Sequence, residues 1–481
     1  MLSVADNELL TRVGPGTPMG DMMRQYWVPA LPSAEFPEAD SPPKRMRLLG
    51  ENLVMFRDTN GDVGCFKEAC PHRGASMFFG RNEEAGLRCV YHGWKFDTTG
   101  ACVDMPSEPA ESNFKNKVRI KAYPARDVNH MVWVYMGPRE VPPPFPMFDI
   151  NLLPPENVAP PAIMMEESNW FQNLEGDTDS NHLDYLHSRL DAFRWRLFGE
   201  EPKEGSRPGL FFTVWSDKMP RLDVRTTDYG VYYSARRKWD DEFGDRRPGD
   251  NTPYEWHRIN QFVFPFHTMI TGGNNVVLRS FVPLDDEWAM LITQRGSLTE
   301  RMYFPDSSTP TPLEASVGFV DRTSDPRTYF YTKANKHNDY KRDFEVERTQ
   351  MVSGVPAIGN LQDRAMTELM SNERGEVIYD RSHEHLGSLD IMCIAVRRQL
   401  LKAVKAFRDE NALPANVDNV RLDKVRPATV VLPEGANWVE DTKAVRSGDS
   451  GAGVAWEIKP MSYLNLAPAA QPEPIEVVGG G

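Results

Sequence analysis

Two short arms, Cys70-Pro71-His72 and Cys89-Val90-Tyr91-His92, lie sixteen residues apart and constrain this chain more than any other feature. Two thiolates and two imidazoles at such a spacing can hold a tetrahedral zinc ion, or a [2Fe-2S] cluster with two histidines on one iron. Zinc fingers usually pair cysteine with cysteine and histidine with histidine, whereas each arm here supplies one of each. That mixed order favours the cluster. The bland alternative, a buried thiol near a surface histidine, would have to arise twice in one region.

The chain of 481 residues carries a net charge of −14 and has no long basic run, which argues against nucleic acid or an anionic membrane surface as partner. No apolar run reaches the eighteen or so residues of a spanning helix, and a beginning that contains Asp6 and Glu8 lacks the form of a signal peptide. A cytoplasmic protein is expected. Five cysteines, two of them in the arms, fit a reducing compartment better than a disulfide scaffold. Cys65 and Cys70 imitate the first pair of a plant-type ferredoxin, but no C-x-x-C follows. No G-x-G-x-x-G lies between a predicted strand and a helix, since Gly14-Pro15-Gly16 reads as a turn. Without a flavin or nicotinamide domain of its own, the chain needs a separate reductase.

The first 150 residues alternate short apolar runs with turns. Leu53 to Phe56, the turn Asp58-Thr59-Asn60-Gly61 and Val63 to Phe66 predict a hairpin leading into the first arm, and Met131 to Met136 predicts another strand. Prolines 142–144, 146, 154, 155, 160 and 161 then mark a boundary near 150. Beyond it the pattern predicts a helical segment from about Trp170 to Leu190. Strands follow at Leu210–Trp215, Val231–Lys238, Arg258–Phe264, Asn275–Val282 and Trp288–Gln294, with turns at Asp228-Tyr229-Gly230 and Asp285-Asp286 that suit an antiparallel sheet. Near the C-terminus Val396, Leu400, Val404 and Phe407 recur at helical spacing, with Arg397, Arg398, Lys402 and Lys405 on the other face. Segments 240–255 and 300–345 read as lids or exposed insertions, and 467–481 as a disordered tail. The expected fold is α+β: an all-β domain over 1–150 and, over 151–466, an antiparallel sheet packed with helices.

A second constellation runs Glu175-Gly176-Asp177-Thr178-Asp179-Ser180-Asn181-His182-Leu183-Asp184-Tyr185-Leu186-His187. Two histidines and a distant carboxylate are the ligand types of a facial triad on mononuclear Fe(II), which keeps positions open for dioxygen and substrate. Five residues along an ideal helix amount to about 500°, so His182 and His187 reach a common metal only through an irregular turn. Asp179 and His182, three apart, share a helical face, and the carboxylate can then hold the ring nitrogen that faces away from the metal. A solvated acidic helix with two surface histidines is the competing reading.

Together the two constellations resemble the terminal oxygenase component of a Rieske non-haem iron oxygenase. Respiratory-type Rieske proteins add a disulfide between the ligand loops, but Ala75 and Tyr91 stand at those positions, and Gly74, Gly93 and Trp94 resemble the oxygenase branch. Asn169-Trp170, Glu175-Gly176, Asp179-Ser180-Asn181-His182, Gln362-Asp363-Arg364-Ala365, Asp380-Arg381 and Glu384-His385-Leu386-Gly387 look like the phthalate dioxygenase type, with one kind of catalytic subunit. The resemblance implies a helix-grip-like catalytic domain. It assigns the Rieske cluster to Cys70, His72, Cys89 and His92, and the iron to His182, His187 and Asp363; Glu368 replaces Asp363 if the match is one turn out. It further implies a homotrimer in which Asp179 bridges the cluster of one subunit and the iron of the next, with electrons from an NAD(P)H-dependent reductase or ferredoxin.

The implied reaction uses O2 to hydroxylate or oxidatively O-demethylate an aromatic substrate, an aromatic carboxylate or lignin-derived methoxylated biaryl acid, with cis-dihydroxylation of a phthalate-like acid as the alternative. Arg207, Arg236 and Arg258 are candidates to hold a carboxylate, each with an ordinary surface role as the simpler reading. Phe262, Phe264, Phe266 and Met269 line either a pocket or a core. A Rieske electron carrier without the mononuclear iron, or a zinc-bearing structural protein, are the other classes. Cys102, Cys393, His130, His257, His267, His337, His383 and His385 receive no role.

Overall fold

The hairpin expected around Asp58 forms as strands Glu51–Arg57 and Val63–Lys67 in a computed structural model of the chain. In its turn the Asp58 carboxylate accepts hydrogen bonds from the backbone N–H groups of Asn60 and Asp62, and Gly61 takes a positive φ. The structure describes residues 2–109, 111–188, 190, 217–239, 252–270, 275–303, 318–356, 360–370 and 375–447. Adding Lys44–Leu48 gives an antiparallel three-stranded sheet. A second sheet is built from Arg81–Asn82, Leu87–Arg88, Lys95–Phe96 and Cys102–Asp104, and a third from Trp27–Pro32, Met131–Tyr135 and Ala125–Val128. The first arm follows strand Val63–Lys67, and the second joins Leu87–Arg88 to Lys95–Phe96. Val54, Phe56, Phe66, Leu87 and Phe96 form the small core that backs both.

The C-terminal region is built on one antiparallel sheet. Its order is Ala162–Glu166, Ala289–Ser297, Asn275–Pro283, His267–Met269, Tyr254–Val263, Gly230–Lys238 and Arg221–Thr226, with Ala428–Pro433 pairing with Tyr254–Val263. The expected strands at 231, 258, 275 and 288 are present within a few residues, while Leu210–Trp215 lies outside the described residues. Because side chains alternate along a strand, the pairing register places Glu166, Arg258, Thr268, Arg279 and Phe281 on one face. The Trp170–Thr178 helix packs against this sheet, as does the Ile391–Glu410 helix, which also touches the N-terminal helices Val4–Thr11 and Pro18–Met23.

Two helical expectations are corrected. The segment from Trp170 is helical only to Thr178; Asp179 is extended, and its carboxylate takes the Asn181 backbone N–H, which competes with continuation of the helix. A short 3-10 turn, His182–Asp184, follows. Arg397 is not on a solvated face. It is buried between Glu175 and Glu384, because the end of the Trp170–Thr178 helix brings a carboxylate against it. Likewise the described part of 300–345 is no exposed insertion, since Tyr329, Tyr331 and Tyr340 are buried.

His257 and His267 are buried packing histidines, bonded to the hydroxyls of Ser234 and Ser280. Burial lowers His267 to about 3; burial, helped by Arg236 and Arg221, lowers His257 to about 4. Unfolded, both titrate near ~6.5, so between those limits the unfolded chain binds more protons and stability rises with pH. The melting temperature should therefore fall as pH drops from about 6.5 toward 4, with up to ~1.4 kcal/mol lost per unit per histidine. His267→Gln should flatten that slope; an identical slope would assign the acid sensitivity elsewhere.

Candidate redox and metal centres

The two arms adopt the same turn. Cys70 N–H donates to Ala75 O and Gly74 N–H to Cys70 O, while Cys89 N–H donates to Trp94 O and Gly93 N–H to Cys89 O, all at 2.8 or 2.9 Å. Gly74 and Gly93 both have positive φ, and a Cβ on Gly93 would meet Pro106 at 2.5 Å, so glycine is required there. The thiols point inward and are free of disulfides. The rings of His72 and His92 stand 4.4 Å apart nearer the surface, and Trp94 stacks on His72 at 4.2 Å. Burial pushes the Cys70 thiol up to about 11, with Cys89 adding to the effect. Such a pair is held as thiolates by a metal. His72 Nδ1 is buried with no hydrogen-bond partner among the described residues, as an atom free to bind a metal would be. These features fit a cluster with two sulfur and two nitrogen ligands.

The break after Thr178 brings the second set together. Nε2 of His187 lies 3.0 Å and Nε2 of His182 3.4 Å from Oδ1 of Asp363, on the Leu361–Thr367 helix. Ligand atoms bound at right angles around a metal at about 2.1 Å stand roughly 3 Å apart, so the set fits one ion with its other side open. Gln362 fixes His187. Its amide nitrogen donates to Ser353 Oγ and Val355 O, so its oxygen must face His187 Nδ1, at 2.7 Å. That nitrogen therefore carries the hydrogen and leaves the Nε2 lone pair for the metal. On the other histidine, Nδ1 is 3.5 Å from Asp179 Oδ2, longer than an ordinary hydrogen bond. Burial disfavours a charged His182, but Asp179 and Asp363 outweigh it and push the ring up to about 10. Burial likewise opposes ionisation of Asp363, yet His182 and His187 hold its carboxyl well below the usual range. The centre is an anionic cradle that favours a cation.

Glu368 is not brought to this centre. It is fully buried and paired with Arg364 at 2.6 Å, with the Tyr340 hydroxyl on its other oxygen. Glu368→Ala should cost about 3–5 kcal/mol of unfolding free energy by stranding the Arg364 charge, while leaving metal content unchanged. Asp363→Ala should do the opposite, and metal analysis beside urea unfolding separates the two. A second buried network positions Asp179: Glu175, on the last turn of its helix, pairs with Arg381 and Arg397, and Arg397 with Glu384. Arg381, Glu384 and Gln362, all within motifs legible in the sequence, thus support the site; Arg397 was hidden among surface-looking charges.

Two cavities flank the centre and share Gly176, Asp179, His182, Asp363 and Thr367. The inner one, about 380 Å³, lies toward the sheet and also takes in His187, Arg258, Arg279, Glu166, Phe281 and Ile270. The outer groove, about 710 Å³, is lined by Tyr185, Phe344, Met366, Leu369 and Met370, all exposed. Of the three arginines singled out earlier, Arg258 lines the inner cavity, Arg236 pairs with Glu255 at 3.3 Å, and Arg207 lies outside the described residues.

Residues 26–124 match the family described as Rieske [2Fe-2S] domain, and residues 134–455 the family described as LigXa C-terminal domain like. The chain is 38% identical to the 3-chlorobenzoate-3,4-dioxygenase oxygenase subunit of Comamonas testosteroni, covering 91% of this chain and 97% of that one. It is 37% identical to the phthalate 4,5-dioxygenase oxygenase subunit of Pseudomonas putida, covering 87% and 91%. With the 5,5'-dehydrodivanillate O-demethylase oxygenase subunit of a Sphingobium species it shares 36% identity over 61% of this chain and 62% of that one. The crystal structure of dicamba monooxygenase superposes with a TM-score of 0.51 at 16% identity, over 80% of this chain and 99% of that one, which shows the common fold. Its two matched domains and near full-length relatives establish that this chain belongs to the Rieske aromatic oxygenases, as a terminal oxygenase component with a [2Fe-2S] domain and a non-haem iron catalytic domain.

Proposed function

We propose that the enzyme hydroxylates or oxidatively O-demethylates an aromatic carboxylate bound in the inner cavity, with cis-dihydroxylation of a phthalate-like acid as the alternative. One observation carries the reading: the ligand triad opens into the same cavity as two guanidinium groups, Arg258 and Arg279, and the apolar walls Phe281 and Ile270. Arg258 makes no ion pair among the described residues, so it is available to draw an acid inward. The relatives named for chlorobenzoate, phthalate and dehydrodivanillate point the same way.

Labour is divided between an electron-entry unit over 1–150 and a catalytic unit over 151–466. Cys70, His72, Cys89 and His92 hold the [2Fe-2S] cluster, fed by a separate reductase or ferredoxin. His182, His187 and Asp363 hold Fe(II), which when bound supplies dioxygen activation. Gln362 keeps His187 in one tautomer, and the Asp179 carboxylate faces the outer nitrogen of His182 at 3.5 Å.

Electrons cross between subunits of a closed ring, most simply a homotrimer. Exposed Val90 and Tyr91 lie on the second cluster arm, exposed Phe344, Met366 and Leu369 rim the outer groove that leads to Asp179, and among the described residues no cluster-domain residue of the same chain lines that groove. Two apolar surfaces of this kind on one chain suit head-to-tail docking. Among the described residues no helix is long and apolar enough to cross a membrane.

The reading is tested with aromatic acids, a surrogate reductase and 18O2. Label in a ring hydroxyl supports hydroxylation, and release of formaldehyde supports demethylation. A protein that takes electrons but oxidises none of a broad panel of acids would be the electron carrier instead, and metal content would then stop at the cluster.

A further inference from the structure

Glu166 and Arg279 are two buried ionisable side chains in the inner cavity that the triad and its supports do not use. Glu166 is 2% exposed, makes no hydrogen bond among the described residues, and has Oε2 orphaned. Arg279, 7% exposed, commits Nη1 to Asp177, whose second oxygen accepts from Thr268. Its Nε and Nη2, the two N–H groups along one edge of the guanidinium, are buried without partners among the described residues. No ion pair joins Glu166 to Arg279, although each lies within the other's electrostatic reach. Native proteins rarely leave such groups unmatched. The Nε–Nη2 edge is the shape that binds a carboxylate with two parallel hydrogen bonds.

We propose that Arg279 and Glu166 form the subsite for the carboxylate of the substrate, Arg279 giving two hydrogen bonds from its Nε–Nη2 edge and Glu166 a third from its carboxyl O–H. The assignment rests on the reading that the substrate is an aromatic acid, and it places the recognition on two residues other than the arginines Arg207, Arg236 and Arg258. Arg258, half-buried at the same cavity, then serves to attract the acid.

The protonation state follows from the surroundings. Burial is the largest influence on Glu166; Arg364 and Arg279 lower it, Glu368 and Asp363 raise it, and Arg364 is already paired with Glu368. Without a metal on Asp363 the balance pushes the carboxyl up to about 8, so it keeps its proton at neutral pH; iron there cancels the raising influence of Asp363 and moves the titration to lower pH. A carboxylate ligand favours that protonated form. Its affinity is therefore constant on the acid side of the Glu166 titration and weakens as pH rises through it, by at most about tenfold per unit.

The test is calorimetry on the iron-loaded protein without dioxygen, from pH 6.5 to 9.5, using benzoate, 3-methoxybenzoate and biphenyl-3-carboxylate, each beside its carboxamide. Wild type should lose affinity for the acids at alkaline pH and show a flat profile for the amides. Glu166→Gln keeps an N–H donor but does not titrate, so it should bind acids with a flat profile; Glu166→Leu should bind them more weakly throughout. The same alkaline loss in wild type and Glu166→Gln overturns the subsite. Binding of the amides but of none of the acids overturns the aromatic-acid reading as well, which distinguishes the two failures.

Discussion

Replacing Asp179 by Asn should leave both metal centres filled and the fold unchanged while lowering turnover on the order of 100-fold, the upper range for a residue that acts through a metal-ligating histidine. Asp179 lines both cavities, stands 3.5 Å from His182 Nδ1 on one side and opens to the outer groove on the other. Asn keeps the oxygen that accepts from Asn181 N–H, so the turn that delivers His182 survives. What it removes is the negative charge that favours a cationic neighbour on either side. Visible absorption of the cluster, iron content and a single-turnover measurement of cluster reoxidation separate this outcome from simple misfolding: reduction by the donor should be normal, and reoxidation in the presence of substrate and dioxygen should be slow. Wild-type reoxidation would remove Asp179 from the electron path.

Mixing two individually dead chains should restore activity. Cys70→Ser should disable the cluster and Asp363→Ala the iron centre, and neither alone should turn over substrate. Co-expressed in equal amounts and assembled at random into rings, roughly a quarter of the junctions would join an intact cluster to the intact iron centre of a neighbour, so about a quarter of wild-type activity is expected. Transfer confined within one chain predicts none, since every chain would lack one centre. The exposed Val90 and Tyr91 of the second arm and the apolar groove beside Asp179 supply the reason to expect the first result. Met366→Glu in the groove should weaken both assembly and turnover without loss of either metal, which sedimentation and metal analysis can follow.

Much of the chemistry was legible before any tertiary contact was known. The arms at 70–72 and 89–92 carry both donor types within a few residues, so their loop turns are local, set by backbone hydrogen bonds and two glycines. The strands of the catalytic sheet were legible as short apolar runs bounded by turn residues, and the turn at Asp228-Tyr229-Gly230 closes the hairpin between Arg221–Thr226 and Gly230–Lys238. The Trp170 helix was read too long because its apolar and polar residues continue past Thr178. Only the competition of the Asp179 carboxylate for backbone N–H groups ends it, and that same interruption lets His182 and His187 converge.

The amino-acid order alone determined which elements of chemistry the chain possesses: two cysteine–histidine arms, a histidine pair after an acidic turn, and family motifs that nominate Asp363. It could not determine that Gln362 sets the tautomer of His187, that Arg397 is buried against Glu175, or that Arg279 and Glu166 share a cavity with the triad. Those partners are separated by about 100 to more than 200 positions along the chain. Their meeting is decided by strand register and helix packing, which no local spacing encodes, because a one-residue change of register would turn each of those strand side chains to the opposite face.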